Sequence, residues 1–106
     1  MDTVEKKKTF SELINSDELT LVDFYADWCG PCKMMKPILE ELKQKVGKKA
    51  VIIKIDVEKN QQTAGAHGIQ GVPTLILFKK GKVMWRQAGV VASNQLEQII
   101  NSNYNN

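Results

Sequence analysis

Two apolar runs with an amphipathic stretch between them restrict the folds open to this chain. Leu19 to Ala26 (LTLVDFYA) and Val51 to Val57 (VIIKIDV) are rich in β-branched and aromatic residues. Both are predominantly apolar, so both read as strands covered on two faces. Between them Met35, Ile38, Leu39, Leu42 and Val46 recur at helical spacing, with Lys36, Glu40, Lys43 and Gln44 elsewhere around the circumference. Pro37 is expected to bend this helix rather than end it, because the apolar face continues beyond it. Gly47 marks its exit. Strand, crossover helix and strand give a parallel pair on a right-handed path.

The flanking segments complete a βαβ-based pattern. Thr9 or Ser11 can cap a short helix whose apolar residues Phe10, Leu13 and Ile14 share a face, and a brief edge strand can precede it around Val4. Lys59 or Asn60 opens another short helix through Ala64, and residues 66–72 read as a loop. Thr74 to Phe78 is a third strand, and the turn KKGK returns the chain antiparallel over Val83 to Gln87. Gly89 breaks the pattern before a last helix, with Ser93 as its cap and Leu96, Ile99 and Ile100 as its inner stripe. The tail SNYNN is expected to fray. The first half reads β-α-β-α-β with crossovers that make the strands parallel, and the second half strand, strand, helix. The expected fold is one three-layer α/β/α domain over residues 1–106, built on a central mixed sheet.

Composition excludes several classes of function. With 15 basic and 12 acidic residues the net charge of +3 is mild and dispersed. The Lys6–Lys8 run is too short for a nucleic-acid footprint and reads as a solvated edge. No apolar run approaches the roughly 18–20 residues that span a bilayer. The polar, charged start lacks the apolar stretch and small-residue cleavage site of a secretion signal, so a cytoplasmic location is expected. Size and polar surface suggest a monomer.

The chemistry concentrates in DWCGPCK, Asp27 to Lys33, which holds the only two cysteines. This loop follows a central strand and precedes a helix, the usual place for chemistry in open α/β folds. Cys29 falls at or just before the first helical turn, where free N–H groups and the helix dipole favour a thiolate. Cys32 lies one turn further in, within bonding reach, and is expected to be the less exposed thiol. Pro31 suits a first turn because its missing N–H has no partner to lose there, and it stiffens the loop. Gly30 removes bulk where a substrate must approach, and Trp28 offers a flat apolar shoulder.

Other readings of these residues stand beside that one. C-x-x-C is also half a tetrahedral zinc site, but His67 is the only histidine and there is no second cysteine pair. Zinc would need two subunits or carboxylate help. An idle or structural thiol pair is a further option. A Cys–His hydrolase built on His67, which reads as an exposed loop residue, leaves the second cysteine without a purpose. Asp23, in the middle of an apolar strand, is either a strand-end acid reaching water or a buried carboxyl of raised pKa beneath the cysteines. In the second case it could take a proton from Cys32, with Lys54 of the other apolar run as its charge neighbour. GVPT (Gly71 to Thr74) is a rigid turn into a strand; whether the bond before Pro73 is cis is not legible from sequence. GAHGIQG (Gly65 to Gly71) lacks the strand–turn–helix frame of a phosphate loop, so no nucleotide cofactor is expected and electrons come from another protein.

Over nearly the full chain the sequence resembles the thioredoxin family. VDFYADWCGPCK (Val22 to Lys33) is the most specific part, and IDVEKN (Ile55 to Asn60), GIQGVPTLILFKKGK (Gly68 to Lys82) and Gly89 follow at the family's distances. The resemblance implies that Cys29 attacks and Cys32 resolves, and that Asp23 moves the proton of Cys32 with Lys54 as companion. It implies that Pro73 is cis and that Trp28, Gly71, Val72, Pro73 and Gly89 frame a groove for an extended substrate segment. Gly30 and Pro31 then tune the couple. The implied partners are a thioredoxin reductase drawing on NADPH, or a ferredoxin-linked one, and disulfide targets such as ribonucleotide reductase, peroxiredoxins and methionine sulfoxide reductases. Nothing beyond the Cys29–Cys32 disulfide is implied as a cofactor. Tyr25, His67 and the segment Met84 to Ala88 (MWRQA) depart from the family pattern near the docking face.

Two rival functions remain at this level. A disulfide isomerase or oxidase domain shares the fold, although Gly30–Pro31 in place of a histidine between the cysteines argues against it. The other is a protein-binding module whose dithiol is vestigial or clamps a partner.

Overall fold

The computed structural model describes residues 9–104. The strand expected near Val4 and the Lys6–Lys8 run lie outside the described residues. The elements in chain order are α1 (Phe10–Ile14), β1 (Leu19–Tyr25), α2 (Gly30–Val46), β2 (Ala50–Asp56), α3 (Gln61–Ala66), β3 (Thr74–Lys79), β4 (Lys82–Ala88) and α4 (Ser93–Tyr104). A single 3-10 turn, Gly47–Lys49, follows α2. Among the described residues no helix is long and apolar enough to cross a membrane.

Local chemistry explains the element ends. Thr9 accepts the Glu12 N–H at 3.1 Å while the Glu12 carboxylate accepts the Thr9 N–H at 2.9 Å, a reciprocal box that starts a helix of only five residues. Helix α2 continues through Pro37 to Val46 and leaves through Gly47, whose φ of +55° suits glycine. Strands β3 and β4 are joined by Lys80 and Gly81, both at positive φ, as a tight two-residue hairpin requires.

The sheet order is β2-β1-β3-β4. Strand β1 pairs parallel with β2 and antiparallel with β3. The expectation that the second crossover would also be parallel is corrected here. Helix α3 has only six residues and is not used as a crossover. Tyr25 lies opposite Asp56, and Phe24 opposite Thr74, so the connection stays at one end of the sheet and β3 runs back beside β1.

Alternation along β1 divides the core. Leu19 and Leu21 face α2 and α4 with Met35, Leu39, Leu42, Leu96 and Ile100. Val22 and Phe24 face the other side with Ile14, Ile76 and Phe78. The result is the expected three-layer α/β/α arrangement on a mixed sheet. Strand β2 is only half-buried along most of its length, because β1 is its only strand partner among the described residues. Its Lys54 is exposed, which the apolar reading of that run did not anticipate. The last helix includes Ser102–Tyr104, so that part of the tail is helical rather than frayed. The Asn103 side chain donates to the Ile99 carbonyl at 2.8 Å there. Ser93 is the first helical residue, not a cap preceding it, and its hydroxyl accepts from Lys45 Nζ at 2.9 Å. That lysine also meets Asn94 and Glu41, fastening α2 to α4.

Leu42 is fully buried between α2 and the sheet. Leu42→Ala is expected to lower unfolding free energy by about 2–5 kcal/mol through lost burial and the cavity left behind. Val83→Ala, on exposed β4, should stay within about 0.5 kcal/mol. Urea denaturation of both variants checks the contrast, and equal losses would contradict this core assignment.

Candidate active site

The site forms where β1 runs into α2. Cys29 is the N-cap residue of α2, with extended backbone (φ −88°, ψ 112°). Its Sγ receives the backbone N–H of Cys32 at 3.2 Å, so a sulfur occupies the capping place usually held by a Ser or Asp oxygen. Pro31 occupies the first turn, where a missing N–H costs nothing. Cys29 and Cys32 are joined as a disulfide with their Cα atoms 5.3 Å apart, well inside the range a disulfide bridges. When the bond is reduced, the dipole and the Cys32 N–H both favour a thiolate on Cys29.

Both cysteines are buried, Cys29 at 3% exposure and Cys32 at 5%. The expected difference in exposure is therefore absent. Ala26 packs with the pair, and Tyr25, Val57 and Val72 close around it. Electrostatic position at the helix start, not accessibility, distinguishes the two sulfurs.

On one side the disulfide meets the loop before β3. The Val72 carbonyl oxygen lies 3.6 Å from Cys29 Sγ, and the Val72–Pro73 peptide bond is cis. The Gly71 carbonyl accepts the Thr74 hydroxyl at 2.6 Å, and the Pro73 carbonyl accepts the Gly89 N–H at 2.8 Å. Gly89, at φ +95°, can take that turn because it lacks a side chain. Trp28 projects beside the pair at 68% exposure, held by its indole N–H donating to Glu58 at 2.6 Å. Glu58 escaped the sequence reading because nothing in a surface loop acid 30 residues away marks it as a partner for the indole.

On the other side lies Asp23. It shares a face of β1 with Leu21, so it points toward α2, the helix that carries Cys32. It is fully buried, and neither carboxyl oxygen has a hydrogen-bond donor among the described residues. Burial raises its pKa to about 6, and the Lys54 ammonium, its register partner on β2, holds it from rising further. Lys54 Nζ also lies 4.8 Å from the centre of the Tyr25 ring. A cleft lined by Tyr25, Ala26, Asp27, Cys32, Lys36 and Lys54 opens this side to the surface.

His67 is not the exposed loop residue it was expected to be. It caps the C-terminal end of α3 and is half-buried against Phe10, Phe24 and Phe78, with ring centroids 5.3, 6.2 and 5.3 Å away. Burial lowers its pKa, and the nearby Arg86 charge lowers it further. Its ring packs in the phenylalanine cluster, apart from the residues that close around the disulfide. Among the described residues no three His, Cys, Asp or Glu side chains gather as a metal site would require.

A disulfide capping a helix at the end of a central strand, beside a cis-proline loop, defines a thiol–disulfide oxidoreductase acting by dithiol–disulfide exchange. The thioredoxin family model matches residues 2–102. The thioredoxin of Bacillus subtilis (strain 168) is 46% identical over 86 residues, covering 81% of this chain and 83% of that protein. That of Haemophilus influenzae (strain Rd) is 44% identical over 91 residues, covering 86% and 85%. Among solved structures, a point-mutant thioredoxin from Halobacterium salinarum NRC-1 superposes with a TM-score of 0.81 at 38% identity, over 93% of this chain and 86% of that one. The chain belongs to the thioredoxin family.

A raised carboxyl pKa destabilises the folded state where the unfolded state ionises freely. From pH about 4 to about 6 the native state keeps a proton that the unfolded chain releases, so stability falls with rising pH. Above that window the cost is complete, up to about 3 kcal/mol for a shift from 3.8 to about 6. Asp23→Asn mimics the protonated carboxyl. Denaturation of the oxidised protein should find the variant more stable than wild type near pH 8 and equal to it near pH 4. A difference independent of pH would contradict the buried carboxyl's role.

Proposed function

We propose that the protein reduces disulfides of target proteins and that Cys29 attacks and Cys32 resolves. The observation that carries this is the capping geometry: Cys29 Sγ sits on the Cys32 N–H at the start of α2. The Cys29 thiolate attacks a target disulfide, forms a bond to one target sulfur and expels the other as a thiolate that takes up a proton. Cys32, losing its proton, then attacks Cys29 Sγ. The Cys29–Cys32 disulfide forms, and the second target sulfur leaves as a thiol. Two electrons pass to the target, with one proton from Cys32 and one from solvent.

Asp23 is the acceptor of the Cys32 proton, directly or through a water. Its placement on the α2 face and its pKa raised to about 6 support this role, since a base acts best with a pKa near the working pH. Lys54 is its charge companion. Trp28, Gly71, Val72, Pro73 and Gly89 form the docking groove, in which the backbone beside Pro73 pairs with an extended target segment. The exposed indole and the loop carbonyl beside the disulfide favour that reading. Gly30 and Pro31 keep the approach open and the loop stiff.

Reduction of the couple falls to a thioredoxin reductase that takes electrons from NADPH, in keeping with the family. Ribonucleotide reductase, peroxiredoxins and methionine sulfoxide reductases are the classes of target in view. The cytoplasm, as a reducing compartment, is the setting such a reductant requires. The protein acts there as a monomer.

Cys32→Ser should trap a mixed disulfide with a target, and Cys29→Ser should abolish trapping, as read by mass spectrometry under non-reducing conditions. Trapping by Cys29→Ser at least equal to that by Cys32→Ser would overturn the assignment. Asp23→Asn should slow resolution by about tenfold near neutral pH. A rate unchanged across roughly pH 6 to 9 removes the carboxyl from the mechanism.

A further inference from the structure

Arg86 belongs to the MWRQA segment that departs from the family pattern, and it is exposed on edge strand β4. Its guanidinium nevertheless reaches across to two successive backbone carbonyls at the end of α3. One Nη donates to the His67 oxygen and the other to the Gly68 oxygen, the latter at 2.8 Å. Such carbonyls at a helix end lack intrahelical donors, and a cation satisfies both their hydrogen-bonding and their dipole. Gly68 itself turns at φ +65°, and the Ile69 N–H returns to the Ala64 carbonyl at 3.0 Å. The other side of the same point is wedged by the His67 ring among three phenylalanines.

The loop 69–73 begins at this anchor and ends at another on the same strand region, where the Gly89 N–H holds the Pro73 carbonyl at 2.8 Å. Between the two anchors lies the Val72 carbonyl, 3.6 Å from Cys29 Sγ. We propose that Arg86 is a positioning residue for dithiol exchange, gripping the His67 and Gly68 carbonyls so that the Val72–Pro73 backbone is held in register with the disulfide for an incoming target chain. This rests on the docking groove of the proposed function. Arg86 touches neither sulfur. Its effect is confined to substrates that must pair with the loop, and Cys29 keeps its intrinsic reactivity. A lysine carries the charge but lacks the fork that spans two carbonyls, so it restores only part of the effect.

The test compares two oxidants of the reduced protein: insulin, whose disulfides lie in peptide chains, and dithiodipyridine, which needs no groove. Arg86→Met should slow insulin reduction by about tenfold and leave the dithiodipyridine rate within about twofold, with Arg86→Lys intermediate. The Cys29–Cys32 reduction potential should not move. Parallel slowing with both oxidants, or no change with either, overturns the proposal. Should Arg86→Met fail to fold, Arg86→Lys reports the same split at smaller size. The groove is read separately, from hydrogen exchange of the Val72 amide in the Cys32→Ser protein disulfide-linked to an insulin-derived peptide. Slowed exchange with no oxidant split rejects Arg86 alone; unslowed exchange rejects the groove and the role of Arg86 with it.

Discussion

Strand β1 is hydrogen-bonded along both edges and covered on both faces, so the place where it ends cannot drift. Four residues after Tyr25, Cys29 caps α2, and the apolar face of that helix is pressed to the sheet through Met35, Leu39 and Leu42. The contact between Cys29 Sγ and the Cys32 N–H follows from this joint between a fixed strand and a fixed helix. The rest of the site is arranged around it. The cis-proline loop approaches from β3, the indole of Trp28 is steadied by Glu58, and Asp23 waits beneath on the α2 side. A small domain holds little stability in reserve, so placing a carboxyl without hydrogen-bond donors in its central strand is a real expense. The proton transfer proposed for Asp23 calls for a group that can be neutral at one moment and charged at the next.

The two flanks of the disulfide have different physical characters, and the proposed exchange uses both. The Val72–Pro73 side offers backbone to a peptide, where recognition by main-chain hydrogen bonds tolerates many sequences. The opposite cleft is lined by Lys36 and Lys54 and reaches Cys32, the sulfur proposed to resolve. Lys54 divides its charge between Asp23 and the Tyr25 ring.

What could be read from sequence was whatever depends on local pattern. The uninterrupted apolar run of β1, the helical spacing from Met35 to Val46 and the position of Cys29 at the helix start are one-dimensional signals, and the structure carries all three. Strand direction is not such a signal. The reversal of β3 depends on a connection that stays at one end of the sheet, and the expected parallel crossover failed there. Lys54 in the VIIKIDV run was the clue that β2 is half exposed, but a single polar residue in an apolar run has two explanations until neighbours are known. His67, Glu58 and Arg86 were illegible as site elements because each meets partners distant in sequence, Phe10 for His67, Trp28 for Glu58 and the His67 and Gly68 carbonyls for Arg86. The burial of both cysteines likewise comes from Val72 and Val57, supplied by other segments.

The central claim is that this dithiol is held as a reductant, and its reduction potential tests that most directly. Equilibration with a defined glutathione buffer gives the potential from the ratio of oxidised to reduced protein. Thioredoxins as a class lie near about −270 mV and protein disulfide isomerases near about −180 mV, general values adopted for comparison. The gap is roughly 4 kcal/mol for a two-electron couple. The account predicts a value close to the lower figure. A value near the higher one would make the protein a donor or shuffler of disulfides, and would contradict both the direction of electron flow and the reducing compartment proposed for it.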